Sequence, residues 1–123
     1  MKKVGFNYAF APTVAVSHNP QWGRFYESMG QDSSMIEKFA ESYVRGLQDV
    51  SNGKINGVVG SVKHWMGDGS TLYGTNMGNA EVHSFESYIP HNVKGYTGSV
   101  KSNIGTVMVS FNGINWVQNN LNS

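Results

Sequence analysis

With 123 residues, 39% of them hydrophobic and 14% charged, the chain is long enough for one domain with a core and too apolar for a disordered segment. A formal charge of +1 provides no basic field to gather nucleic acid or an anionic membrane surface. Cysteine is absent, which excludes disulfides and thiolate metal sites.

The Met1-Lys2-Lys3 start runs into Asn7 and Pro12 rather than an unbroken apolar stretch and a small-residue cleavage site, so no signal peptide is expected. No apolar run approaches the ~20 residues that span a bilayer. The expectation is a soluble chain.

The first β-favouring run is Phe6 to Val16, with Phe6, Tyr8, Phe10, Val14 and Val16 at even spacing and Pro12 dividing it. The strongest helix follows. Met35, Ile36, Phe39, Ala40, Tyr43, Val44 and Leu47 form one apolar stripe. Ser34 and Glu37 fit a capping box, Glu41 can pair with Arg45, and Ser51-Asn52-Gly53 stops the helix. Val58 to Trp65 is apolar on both faces, as a buried parallel strand would be. A weaker helical region starts at Ser84 to Tyr88, is interrupted by Pro90, and resumes toward Ser102 despite Gly95 and Gly98. Thr106 to Phe111 is the clearest strand, and the Asn-rich residues 112–123 read as a frayed tail.

This order predicts an α/β fold, a parallel βαβαβ unit forming a single domain over residues 1–123, with both helices on one face. Such a unit has two open edges and an uncovered face, so it is expected to self-associate, as a homo-oligomer, or to belong to something larger.

In parallel α/β sheets ligands bind beyond the carboxyl ends of the strands. Those positions hold Ser17, His18, Asn19, Trp22, Arg24, Tyr26 and Glu27 after the first run. Lys63, His64, Trp65 and Asp68 follow the second, and Phe111 and Asn112 the third. Paired polar groups and aromatic faces of this kind suit a neutral polyol. Arg24 offers a rigid donor fork, and Lys63 a point donor that Glu27 or Asp68 can orient. Competing readings stand beside this one: Arg24 and Glu27 as a purely structural ion pair, and Lys63 and His64 sent to opposite faces by strand alternation. Gly67-Asp68-Gly69-Ser70-Thr71 lacks the spacing and the lysine of a phosphate loop. His18, His83 and His91 lack ligand spacing, so neither metal nor cofactor is expected. Tyr96 and Trp116 read as packing residues.

Three segments resemble the amino-terminal barrel domain of glycoside hydrolase family 3: NYAFAPTVAVSHNPQWGRFYESMGQD from Asn7, GSVKHWMGDGSTLYGTNMGNAEV from Gly60, and GTVMVSFNGIN from Gly105. The helix FAESYVRGLQ lies between the first two. The resemblance implies about three strands of a TIM (β/α)8 barrel, a partial barrel that binds the terminal sugar of a β-glucoside. It makes Arg24, Lys63, His64 and Asp68 similar to the family's sugar-gripping residues, and Phe111 similar to a tyrosine that contacts the ring. Asp68 in the Gly-Asp-Gly run points to the glucosidase branch, where the hexosaminidase branch has histidine. The family's nucleophile, an aspartate in a Ser-Asp-Trp run, and its acid/base from a further domain have no counterpart among these residues. The implied activity is β-glucosidase-type hydrolysis, which this chain alone is not expected to perform in full, with Asp68 and Glu27 as the catalytic candidates. The alternative is a non-catalytic carbohydrate-binding or assembly module on the same rim.

Overall fold

The apolar stripe forms the longest helix, α1 (Ser33–Gln48), in a computed structural model that describes residues 1–121. Ile36, Ala40 and Val44 are fully buried, whereas Met35, Phe39 and Tyr43 on the neighbouring strip stay 44–50% exposed. Three of the seven residues of the predicted stripe thus remain about half exposed. The cap also differs from the predicted Ser34–Glu37 box. Asp32 is the N-cap, its Oδ1 accepting from the N–H groups of Ser34 at 2.8 Å and Met35 at 3.0 Å. A shorter acidic side chain one step outside the helix reaches those orphan donors directly. Ser34 and Glu37 are left free for Lys94 and Lys101, at 2.8 and 2.7 Å. The Glu41–Arg45 pair forms as predicted, at 3.5 Å.

Asp49, left-handed at φ 45°, ends α1. The Asn52-Gly53 pair, read as a stop signal, instead turns a small antiparallel hairpin of β2 (Val50–Ser51) and β3 (Lys54–Ile55). Both turn residues have positive φ, 50° and 70°, as the tight turns of twisted hairpins require.

The main sheet has the order β1-β4-β6 and is parallel throughout, with β1 at Tyr8–Ala9, β4 at Val59–Trp65 and β6 at Thr106–Val109. The first run is far shorter than its alternation predicts. Pro12 has no N–H for the ladder, and pairing resumes only as the bridge Thr13–Lys63. Val14, Ala15 and Val16 then sink into the core without strand partners on both sides. At the amino ends of β4 and β6, fully buried Gln48 ties three segments together. Its Oε1 accepts from Gly60 N–H at 3.0 Å and Gly105 N–H at 2.9 Å, and its Nε2 donates to the Asn103 carbonyl at 2.7 Å.

Beyond β4 come short 3-10 turns at Asp68–Ser70 and Leu72–Gly74 and the strand β5 (Asn79–Ala80). The weak helical region becomes α2 (Phe85–Asn92) and α3 (Lys94–Lys101). Pro90 lies inside α2 on its exposed side, where the carbonyl it leaves open can face water. Gly95 and Gly98, unfavourable for helix propensity, are what let α3 lie against α1. A Cβ on Gly95 would meet Val14 and Ile36 at 2.5 and 2.9 Å, and one on Gly98 would run into the Glu37 carbonyl. The core of Val14, Val16, Ile36, Ala40, Val62, Met66 and Tyr96 sits between this helix pair and one face of the sheet.

The segment expected to fray carries structure up to residue 121. Strands β7 (Gly113–Ile114) and β8 (Val117–Gln118) form a hairpin, and β7 pairs in parallel with β5. Asn side chains supply the fixing bonds, with Asn115 Oδ1 accepting from Val82 N–H at 2.8 Å, its Nδ2 donating to the Val82 carbonyl at 2.9 Å, and Asn119 Nδ2 donating to the Met66 carbonyl at 2.8 Å. For residues 122–123 the fraying expectation lies outside the described residues. Tyr96 is buried as expected; Trp116, read as a packing residue, is 77% exposed because it occupies the hairpin turn at φ 68°. Among the described residues no helix is long and apolar enough to cross a membrane.

Candidate functional site

The carboxyl ends of β4 and β6 and the loops after β1 surround an open cavity of about 460 Å³ lined by Arg24, Lys63, His64, Asp68 and Phe111. That size lies within the usual range of small-ligand pockets. Arg24 arrives on the loop after Trp22, whose side chain is 2% exposed and anchors that loop. Lys63 and His64 are adjacent on β4, so regular alternation would separate them. Instead the register of β4 against β6 shifts between Lys63 and Trp65, and both side chains line the same cavity. The Lys63–His64 and Trp65–Met66 peptide bonds are cis.

The polar groups form one connected chain. Glu27 Oε1 accepts from Arg24 Nε at 2.6 Å and its Oε2 from Arg24 Nη2 at 2.8 Å, a bidentate pair of the strong, geometrically specific kind. Lys63 Nζ stands 3.3 Å from the same Oε2. Arg24 Nη1 lies 2.9 Å from His64 Nε2, and His64 Nδ1 lies 2.7 Å from Asp68 Oδ2. A guanidinium has no lone pair to offer. His64 Nε2 is therefore the acceptor from Arg24, and Nδ1 carries the proton donated to Asp68. The geometry selects the Nδ1–H tautomer.

Electrostatics follow the same chain. The Arg24 guanidinium, with Lys63 behind it, pulls the Glu27 carboxyl down to about 2 against the opposing effect of burial. The hydrogen bond to Glu27 raises Arg24 in turn. Asp68 is 4% exposed, and its second oxygen, Oδ1, is buried without a hydrogen-bond partner in the protein.

Of the residues singled out in the sequence, Arg24, Lys63, His64, Asp68 and Phe111 come together. Glu27 does not line the cavity; it stands behind the two cations and orients them, so it is not a free carboxylate at the mouth. Asn112, also picked out at the strand end, is fully buried and bonds to the Gly113 carbonyl at 3.0 Å. His18 instead stacks on His91 at 5.4 Å, away from the cavity. Among the described residues no group of three His, Asp or Glu side chains could hold a metal ion. The glycines flanking Asp68 answer to packing. Gly67 has φ 89°, and a Cβ there would collide with Tyr88 Oη, while one on Gly69 would collide with the Val16 carbonyl.

Sequence reasoning missed Phe10, Asn76, Met77 and Met108, which also line the cavity. Phe10 and Met108 belong to runs read only as strands. Asn76 and Met77 lie in the turn-rich stretch before Gly78, where a loop signal was present but no direction for its side chains.

Residues 1–122 match the model of the glycosyl hydrolase family 3 N terminal domain. The chain belongs to this family. The periplasmic beta-glucosidase of Salmonella typhimurium is 32% identical over 114 residues, covering 90% of this chain and 14% of that protein. The exo-1,3/1,4-beta-glucanase from a Pseudoalteromonas species superposes with a TM-score of 0.81 at 30% identity, over 92% of this chain and 14% of its own. The beta-glucosidase from Listeria innocua, in a crystal structure with glucose, superposes with a TM-score of 0.85 over 94% of this chain and 16% of its own. At 23% identity that likeness speaks to the fold alone. The chain thus spans about a seventh of the length of the relatives it matches. Its mixed α/β fold with a parallel sheet agrees with that membership.

Proposed function

We propose that the cavity grips the terminal β-glucosyl residue of an oligosaccharide and is the sugar-binding rim of a β-glucosidase-type site. One observation carries this reading most directly. Asp68 lines the cavity beside Arg24, Lys63 and His64, which are held in one hydrogen-bonded chain, and its buried Oδ1 has no partner in the protein. A buried carboxylate oxygen without a partner is costly, and a hydroxyl donor satisfies it. Phe10 and Phe111, 64% and 63% exposed, offer apolar faces to the C–H surface of a ring. The glucose carried by the Listeria enzyme and the β-glucosidase activity named for the Salmonella relative point to the same ligand class.

Binding and hydrolysis separate on this reading. Retaining hydrolysis uses two carboxyl groups about 5 Å apart, one nucleophile and one acid/base. Glu27 is committed to Arg24 and Lys63, and a carboxyl held at about 2 is a poor proton donor near neutral pH. Asp68 is committed to His64. No Ser-Asp-Trp run occurs in the sequence. The chain alone is therefore a binder without turnover, and the sheet is a three-stranded part of a (β/α)8 barrel. Titration with glucose, with xylose as the analogue lacking the hydroxymethyl group, beside an aryl-glucoside assay, tests both halves. Saturable glucose binding without nitrophenol release is expected; absence of binding overturns the reading.

A second reading, an assembly module, rests on the surface. The edge strands β1 and β6 have no outer partner among the described residues, and Phe6, Val107 and Val109 are 46–59% exposed beside them. With the Met35-Phe39-Tyr43 strip on α1, these surfaces favour association with a second copy or with further barrel units. Sedimentation separates this from a stable monomer.

A further inference from the structure

We infer that Tyr96 is a positioning residue for the sugar-binding pair His64–Asp68, holding the main chain of His64 from the helix side of the sheet. The inference rests on the binding role proposed for that cavity. Three consecutive carbonyls at the end of β4 go to three different partners. The Lys63 carbonyl accepts from Val14 N–H at 2.9 Å and the Trp65 carbonyl from Ser110 N–H at 2.6 Å, so the flanking segments take both. The His64 carbonyl lies between them, where the register shifts, and accepts instead from Tyr96 Oη at 2.5 Å in a buried hydrogen bond. A hydroxyl from α3 thus does what a ladder N–H would do in a regular strand.

The rest of the surroundings fix that hydroxyl in place. Tyr96 is 4% exposed and its ring packs edge-on against Trp65 at 4.8 Å. Burial pushes its phenol well above the ordinary range, so the group keeps its proton and remains a donor. The close approach of α3 to α1 permitted by Gly95 and Gly98 sets the reach of Tyr96. The consequence lies at the cavity. With the His64 carbonyl held, its imidazole is aimed so that Nδ1 meets Asp68 and Nε2 meets Arg24. Without that anchor the main chain at the register shift gains freedom, and the ring loses its single tautomer and orientation. No existing role of Tyr96 as a core residue requires this effect.

The test is Tyr96→Phe, which keeps the ring and removes the hydroxyl, read by long-range proton–nitrogen spectra of the His64 imidazole and by glucose titration. In the wild type the spectra should report one neutral tautomer protonated at Nδ1. In the variant the two ring nitrogens should move toward averaged positions, and glucose affinity should fall about tenfold. An unchanged tautomer pattern, even with lower thermal stability, overturns the inference. If Tyr96→Phe does not fold, 3-fluorotyrosine incorporated at position 96 retains the hydroxyl and changes its donor strength; His64 nitrogen signals that do not respond overturn the inference equally. Failure of the wild type to bind glucose would count against the cavity's proposed role, while the imidazole spectra still judge Tyr96.

Discussion

Replacing Glu27 with Gln should destabilise the fold and flatten its response to acid. In the wild type the carboxylate takes two Arg24 hydrogen bonds, at 2.6 and 2.8 Å, and faces Lys63 at 3.3 Å. The neutral amide leaves two cations around one site with a single acceptor oxygen. Breaking one partner of a buried pair costs about 3–5 kcal/mol. Here the Arg24 and Glu27 side chains are 28% and 21% exposed, so solvent screening reduces the effect to roughly 2–3 kcal/mol. For a domain of this size that is a drop of about 8–12 °C in Tm. The pH dependence gives an independent check. Glu27 titrates at about 2 in the folded state against an ordinary value of 4.5. Between those values the unfolded chain binds a proton that the folded chain does not. Its stabilisation is therefore complete above about 4.5 and is lost as the pH falls toward 2. Urea unfolding at pH 7, 4.5 and 3 on both proteins measures the two effects together. A variant within about 0.5 kcal/mol of wild type at pH 7, with an equal acid slope, would refute the reasoning.

Other perturbations reach different links. Gln48→Leu should cost roughly 1–3 kcal/mol, since it strands the buried Gly60 N–H and removes partners from the Gly105 N–H and the Asn103 carbonyl; chemical denaturation measures it, and a neutral result removes Gln48 as the tie between the strands. Gly95→Ala should lose about 1–3 kcal/mol although alanine is the better helix former, because its Cβ meets Val14 and Ile36; a gain in Tm would contradict the packing account. Burial first, and His91 second, depress His18, so this residue favours the folded state above its ordinary value of 6.5 and disfavours it as pH falls through the folded value. A proton titration of the His18 ring should have a midpoint below 6.5 and should rise in His91→Gln.

How much of this was legible in the residues depends on the range of the forces involved. The α1 stripe and the doubly apolar β4 were plain, because burial period and burial on two faces are written locally. That Arg24, Lys63, His64 and Asp68 line one cavity was foreseeable because strand ends are predictable positions in a parallel sheet. The alternation argument failed at Lys63 and His64, where the register shifts and the carbonyls of Lys63, His64 and Trp65 go to Val14, Tyr96 and Ser110, partners distant in the chain. Asp32 displaced the expected capping box, since Ser34 and Glu37 were drawn to lysines some sixty residues away. The last strands were invisible for a similar reason. Asn115 and Asn119 look like disorder-promoting residues until Val82 and Met66 are placed beside them.

The most direct test of the central claim is a glucose titration followed by backbone and imidazole spectra of wild type, Lys63→Ala and Asp68→Asn. The account predicts saturable shifts centred on Arg24, His64 and Phe111, with a dissociation constant on the order of millimolar that weakens in both variants. Shifts absent from that mouth, or identical in all three proteins, would contradict it.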